Sequence, residues 1–269
     1  MISVKLREWY QLNKRDLPWR RSSDPYIIWI SEIMLQQTRV AQGYDYFLRF
    51  TARFPDVCAL AEAPEDEVLK YWEGLGYYSR ARNLHATAKR IVNEFDGVFP
   101  ANHKEVLSLK GVGEYTAAAI VSMAWNQPYA VVDGNVYRVL SRLFALDTPI
   151  DTGKGKAEFY DLATRLMDTS HAGEHNQAIM EFGALFCVSS LPVKQGKTKV
   201  RHRYFHYFYI VNGEETFLNR RPSGDIWQGL YEFPLIETEE AMDFSQLEKT
   251  EHFRKLFAGC EDVRISLVL

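Results

Sequence analysis

Between residue 4 and Cys187 this chain repeats one pattern: apolar residues at helical spacing, in short pieces that break at glycine or proline. The pieces fall at 4–13, 27–44, 64–72, 80–95, 104–109, 115–125, 136–146, 156–167 and 176–187, and none of the intervening stretches alternates as a strand would. Start and stop signals agree with them. Asp24 or Pro25 opens the second piece; Glu65, Asp66 and Glu67 crowd the first turn of the third, as a helix dipole favours, and Gly74 closes it. Short helices in such number, with no sheet to layer them on, predict an all-helical domain.

The texture then changes. Residues 193–203 form a basic, apolar-poor connector with Lys194, Lys197, Lys199, Arg201 and Arg203. Tyr204-Phe205-His206-Tyr207-Phe208-Tyr209-Ile210-Val211 is aromatic and β-branched, and Asn212-Gly213 is a hairpin turn leading to Thr216-Phe217-Leu218. A helical domain over 1–192, a connector over 193–203 and a β-containing domain over 204–269 are therefore expected. Ile265-Ser266-Leu267-Val268-Leu269 reads as a strand cut short, because a chain end is normally polar.

Composition narrows the function classes. A formal net charge of −3 over 269 residues offers no global basic field, so contact with nucleic acid would rest on local patches. Cys58, Cys187 and Cys260 are far apart and odd in number, and on their own make neither a disulfide framework nor a metal site. The start, Met1-Ile2-Ser3-Val4-Lys5-Leu6-Arg7-Glu8, lacks the apolar region of a secretory signal. No run approaches the ~18 apolar residues of a membrane span. A soluble, intracellular protein is expected.

Four segments carry chemistry. In Trp29-Ile30-Ser31-Glu32-Ile33-Met34-Leu35-Gln36-Gln37-Thr38 one carboxylate sits inside an apolar run. If Glu32 is buried there, desolvation raises its pKa and keeps it protonated, ready to protonate a poor leaving group. The other reading is a helix whose Glu32 points to solvent. In Val131-Val132-Asp133-Gly134-Asn135-Val136, Asp133 stands at a helix threshold, where capping alone would explain it. Backbone N–H donors there would lower its pKa, and a neutral Glu32 beside an ionised Asp133 would be the pair that cleaves glycosidic bonds. Leu109-Lys110-Gly111-Val112-Gly113 joins two helical pieces, either as a plain tight connection or as a phosphate-binding turn served by Lys110 and the amides beyond Gly111 and Gly113. Gly74-Leu75-Gly76-Tyr77-Tyr78-Ser79-Arg80-Ala81-Arg82-Asn83-Leu84 puts two aromatics on a glycine-flanked turn; they pack beneath it, or wedge into a base stack with Arg80 or Arg82 near the DNA backbone.

Together with Leu17-Pro18-Trp19-Arg20 and Asn176-Gln177-Ala178-Ile179-Met180-Glu181-Phe182-Gly183-Ala184, these segments resemble the MutY family of adenine DNA glycosylases, over about residues 6–187. The glycine turn at 109–113 likewise resembles a helix-hairpin-helix. The resemblance implies a mainly α, helix-hairpin-helix DNA glycosylase domain followed by a truncated α+β Nudix-like domain, the latter carried by Phe217-Leu218-Asn219-Arg220-Arg221-Pro222 and Trp227-Gln228-Gly229-Leu230-Tyr231-Glu232-Phe233-Pro234. The generic Nudix hydrolase box is not evident. The resemblance further implies removal of adenine mispaired with 8-oxoguanine or guanine in duplex DNA, by a monomer, in the bacterial cytoplasm or a nucleus. Glu32 would protonate adenine N7, and Asp133 would stabilise the sugar cation with Tyr115 and Asn135 beside it. Arg15, Trp19, Arg20, Leu35 and Glu181 would line the adenine pocket. Gln37 and Tyr77 would engage the base pair.

Three departures modify that expectation. The family's 4Fe–4S cluster uses four cysteines spaced C-x6-C-x2-C-x5-C; Cys187 matches the first, Lys194 stands at the next ligand position, and no cysteine follows before Cys260. With three of four ligands missing, no cluster and no metal are expected. The C-terminal domain stops before the family's Phe-Ser-His loop that reads 8-oxoguanine, so discrimination between A·8-oxoguanine and A·G is expected to shrink. Finally, endonuclease III, a relative acting on oxidised pyrimidines, has a Schiff-base lysine where this chain has Tyr115, which forms no imine. A rival of another class is a lesion-binding protein that kept the pocket and lost turnover.

Overall fold

The computed structural model describes residues 2–186, 192, 194, 203–212, 215–221 and 230–258 and separates into two compact units, Met1–Lys197 and Thr198–Leu269. In the first unit eleven α-helices follow one another among the described residues: α1 (Ile2–Asn13), α2 (Pro25–Met34), α3 (Val40–Arg53), α4 (Val57–Glu62), α5 (Glu65–Tyr71), α6 (Ser79–Glu94), α7 (His103–Leu107), α8 (Glu114–Trp125), α9 (Gly134–Phe144), α10 (Gly153–Leu166) and α11 (Ala172–Leu185). Short 3-10 turns at Pro18–Arg20 and Thr169–His171 punctuate them. Several starts are set by side chains that satisfy otherwise orphaned amides. Asp24 accepts from Tyr26 N ahead of Pro25, Asp56 from Ala59 N, Asn102 from Lys104 N and Thr152 from Gly155 N.

Two apolar clusters form the interior of this unit. One gathers Trp29, Phe50, Phe54, Trp72, Leu84 and Ile91 from α2 to α6. The other gathers Tyr10, Val136, Leu140, Phe159 and Ile179 from α1, α9, α10 and α11. Helix α8 belongs to both: Ala117, Ile120 and Val121 face the first and Ala118 and Ala119 the second. It is buried nearly all round, which explains its weak amphipathic pattern. Helix α2 packs on one flank of α8 and α11 on another, so the chemistry-bearing ends of α2, α8, α9 and α11 converge where the two clusters meet.

The expected helix at 27–44 is two helices. The chain leaves α2 at Leu35, Gln37 adopts a left-handed φ of 56°, and α3 starts at Val40. No glycine or proline stands between 35 and 39; the break is stabilised by hydrogen bonds from Arg80, distant in sequence. The helix expected at 176–187 begins at Ala172, and α4 was not anticipated at all.

In the second unit, β1 (Tyr204–Tyr207) pairs antiparallel with β6 (Leu235–Thr238), Tyr204 opposite Thr238 and Tyr207 opposite Leu235. β2 (Val211–Asn212) pairs antiparallel with β3 (Glu215–Thr216), and β4 (Asn219–Arg220) with β5 (Tyr231–Glu232). Two short helices follow, α12 (Phe244–Leu247), opened by an Asp243–Gln246 capping box, and α13 (Glu251–Leu256). The expected continuous strand 204–211 is interrupted at 208–210, where Phe208 packs edge-on against Phe253 and Phe257 instead. Gly213 of the expected turn, Cys187, Cys260, Lys197, Lys199, Arg201 and the run 265–269 lie outside the described residues.

Candidate active site

A cavity of about 400 Å³ opens where α2, α8, α9 and α11 converge in the first unit. Of the site residues expected from sequence, Arg15, Trp19, Arg20, Glu32, Leu35, Gln37, Tyr115, Asp133, Asn135 and Glu181 all line it. The other four lie elsewhere. Lys110 and Gly111 border a separate crevice of about 40 Å³, with Gln36 the residue common to both spaces. Gly113 caps α8, and Tyr77 is half exposed on its turn with a φ of 50°.

Glu32 occupies the last part of α2 and faces the cavity rather than solvent. Burial lifts its carboxyl to about 7; the nearby Asp133 pushes the same way, while a hydrogen bond with Tyr115 and the charge of Arg20 pull against it. The Tyr115 hydroxyl also lies 3.3 Å from Met180 Sδ. It has one proton to give, and a carboxyl oxygen is the better acceptor. Burial and the two carboxylates hold that phenol well above its ordinary range, so it remains a neutral donor.

Asp133 caps α9. Its Oδ1 accepts from Asn135 N at 3.0 Å and Val136 N at 2.9 Å, and its Oδ2 from Asn135 Nδ2 at 2.6 Å. The expectation that these bonds would lower its pKa is corrected: burial outweighs them and the nearby Arg138 charge, and the net shift is upward. Three N–H donors favour the anion on Asp133, whereas Glu32 has a single hydroxyl donor, so the donor geometry favours the proton on Glu32.

The opposite wall is an ion cluster around Glu181, whose side chain is fully buried. Arg15 donates from Nε at 2.8 Å and Nη2 at 2.6 Å and from its backbone N at 2.9 Å, and Arg20 Nη2 donates at 2.7 Å. Burial alone would raise the Glu181 carboxyl, but these bonds hold it at about 2. Its lone pairs are thereby occupied, and its work is to fix the two guanidiniums at the cavity edge. Trp19, on the 3-10 turn, packs edge-on against Phe47 at 5.2 Å and turns its ring into the wall.

Some cavity residues were not anticipated. Gln177 lines it, and its Oε1 accepts from Tyr10 OH at 2.6 Å, which leaves its Nε2 as the donor for a ligand. Gln36, Ser31 and Met180 line it too. The polar pairs Gln36-Gln37 and Asn176-Gln177 inside otherwise apolar helical segments were the available signal. Arg80, which with Arg82 was a candidate for the DNA backbone under one of the two readings of its turn, is buried and bonded to main-chain carbonyls, because a guanidinium has enough donors to satisfy several of them at once. Arg82 is largely covered and pairs with Glu65 at 3.5 Å.

The α7–α8 connection has the geometry of a helix-hairpin-helix. Gly111 takes a φ of 81°, and a Cβ there would stand 3.0 Å from Asn83 Cβ. Thr87 Oγ1 donates to Lys110 O at 2.9 Å, which anchors the turn to α6 and leaves the Lys110 side chain exposed.

The family described as HhH-GPD superfamily base excision DNA repair protein matches residues 30–163, a span containing Glu32, the hairpin, Tyr115 and Asp133. The adenine DNA glycosylase of Buchnera aphidicola subsp. Baizongia pistaciae is 32% identical, the match covering 90% of this chain and 76% of that protein. That of Mus musculus is 43% identical over 70% of this chain and 38% of the mouse protein. Among solved structures, a thermostable thymine-DNA glycosylase superposes with a TM-score of 0.65 at 29% identity, covering 71% of this chain and 88% of that one. With its helical unit sharing this fold and most of its length aligned to such relatives, the chain belongs to the adenine DNA glycosylase family within the HhH-GPD superfamily.

Proposed function

We propose that this protein excises adenine from A·8-oxoguanine and A·G mispairs in duplex DNA, inside the cell, as a monofunctional, cluster-free base-excision enzyme. The observation that carries the reading is the pairing of Glu32, held near pKa 7, with the amide-bonded Asp133 in one cavity. An adenine turned out of the duplex enters that cavity. Glu32, protonated, gives its proton to N7 and makes the base a leaving group. As the C–N bond stretches, charge develops on the sugar, and the Asp133 carboxylate stabilises it. Water completes hydrolysis and Glu32 is reprotonated. Among the described residues no lysine lines the cavity, and Tyr115 offers no amine, so no Schiff base with the sugar is expected. Borohydride should therefore trap no covalent DNA adduct in good yield.

Lys110 and the amides beyond Gly113 contact a DNA phosphate in this reading, and Gln37 and Tyr77, both exposed, engage the mispair. The antiparallel pairs β1–β6 and β4–β5 support a Nudix-like second unit. The family's 4Fe–4S cluster does not fit the residues present. It needs four thiolates, and the chain has three cysteines, of which Cys58 stands exposed on α4. No step of the reaction runs through it.

Single-turnover assay of a duplex with one A·8-oxoguanine pair tests the function. Release of free adenine is expected; tight binding without release would favour the lesion-binding alternative.

A further inference from the structure

Arg80 is a buried cation that, among the described residues, has no carboxylate in ion-pair contact. Its charge is met by main-chain oxygens of two separate segments. Nη1 donates to the carbonyls of Ile33 at 3.1 Å, Met34 at 2.9 Å and Gln36 at 2.5 Å. Nη2 donates to Gly76 O at 3.2 Å, and both nitrogens reach Thr38 Oγ1 at 3.4 Å. Ile33 and Met34 form the last turn of α2, where the negative end of the helix dipole favours a cation. The guanidinium also stacks over the rings of Trp72 at 5.3 Å and Tyr77 at 5.5 Å.

The two segments so joined contain two of the five non-glycine residues with left-handed backbone among the described residues: Gln37 at φ 56° and Tyr77 at φ 50°. Neither residue type favours that region, so each conformation must be held by its surroundings. We propose that Arg80 is a positioning residue that locks Gln37 and Tyr77 into one preorganised pair of prongs, so that both meet the mispair together when adenine leaves the stack. This rests on the reading that Gln37 and Tyr77 engage the base pair. A lysine, with a point charge and no planar fork, cannot serve both segments.

The test follows base extrusion separately from bond cleavage. A duplex with 2-aminopurine beside the target adenine reports unstacking by fluorescence, and single-turnover release reports chemistry. Arg80→Met and Arg80→Lys are compared in the wild-type chain and in a Gln37→Ala/Tyr77→Ala background. Expected is a ten- to hundredfold slower extrusion for Arg80→Met, the scale set by misplaced groups, with a smaller loss for Arg80→Lys. In the double-alanine background the Arg80 changes should alter extrusion by less than twofold, because their partners are gone. Equal losses in both backgrounds would overturn the proposal while leaving the role of the prongs intact. Unimpaired extrusion in the double-alanine chain itself would overturn both. If Arg80→Met does not fold, the comparison is made on Arg80→Lys, for which the same non-additivity is required.

Discussion

A carboxylic acid with a pKa near 7 weakens the fold that holds it once the pH passes that of a free glutamate. Glu32 goes from its ordinary 4.5 in the unfolded chain to about 7 in the folded one. Between those values the folded state binds more protons than the unfolded, so stability falls as pH rises, by on the order of 3 kcal/mol in all. Glu32→Gln should therefore raise the melting temperature at pH 8 and leave it nearly unchanged at pH 4, while single-turnover adenine release drops by ~10²–10⁴-fold. Wild-type release should decline as pH rises through about 7. A flat profile, or more than a tenth of wild-type release from the glutamine variant, would remove Glu32 as the acid. Asp133→Asn keeps an oxygen for the amides of Asn135 and Val136 and loses the charge, so cleavage should fall steeply while melting shifts little. A collapse of melting would show that Asp133 is chiefly a cap.

Among elements, α11 is the keel of the site. It carries Gln177, Met180, Glu181 and Ala184 into the cavity and crosses α9 so closely that a Cβ on Gly183 would overlap the Asn135 carbonyl oxygen. Because the obstacle is backbone, Gly183→Ala must push α9 away or fail to pack. A loss of about 1–3 kcal/mol in stability is expected, with slower adenine release because Asn135 and the cap of Asp133 move with α9. Denaturant unfolding alongside single-turnover kinetics checks both halves. Glu181 joins α11 to Arg15 and Arg20. Its depressed pKa supplies stability that is complete above about 4.5 and is lost as pH falls toward 2. Glu181→Leu should destabilise at pH 7 by about 3 kcal/mol, since two guanidiniums lose their anion, and much less near pH 2. An equal loss at both pH values would show that packing, not charge, is what Glu181 supplies.

For the whole molecule the sharpest expectation concerns iron. Lys194 follows Cys187 at the spacing where a second cluster ligand would stand, and a cluster needs four thiolates. Protein purified without oxygen should contain no stoichiometric iron and no visible charge-transfer band. One cluster per chain by metal analysis would overturn this, and would require thiolates from a second copy. The formal charge of −3 also places any DNA affinity in local patches. Removing Lys110 should therefore reduce the salt slope of duplex binding by about one counterion without changing its preference among mispairs.

Helix content, the change of texture near residue 200 and the acidic residues of the site were all legible in the linear order, because periodicity, capping residues and apolar runs are local properties. Glu32 and Asp133 stood out by their local settings, whereas Arg15, Trp19, Arg20, Leu35, Gln37 and Glu181 were expected from the family resemblance. That ten of the fourteen expected residues line one cavity is the work of tertiary packing, which brings Arg15 and Arg20 to Glu181. What the chain order concealed are quantities created by distant partners. The break at 35–39 is held by Arg80, and α4 is too short for its periodicity to declare it. The orientation of Gln177 comes from Tyr10, far away in sequence. The upward shift of Asp133 arises because its burial, a property of the packed unit, exceeds what its local amide bonds restore. Local sequence sets which groups are present and what each helix can expose; only tertiary packing decides how far each is removed from water, and with it which carboxyl holds the proton.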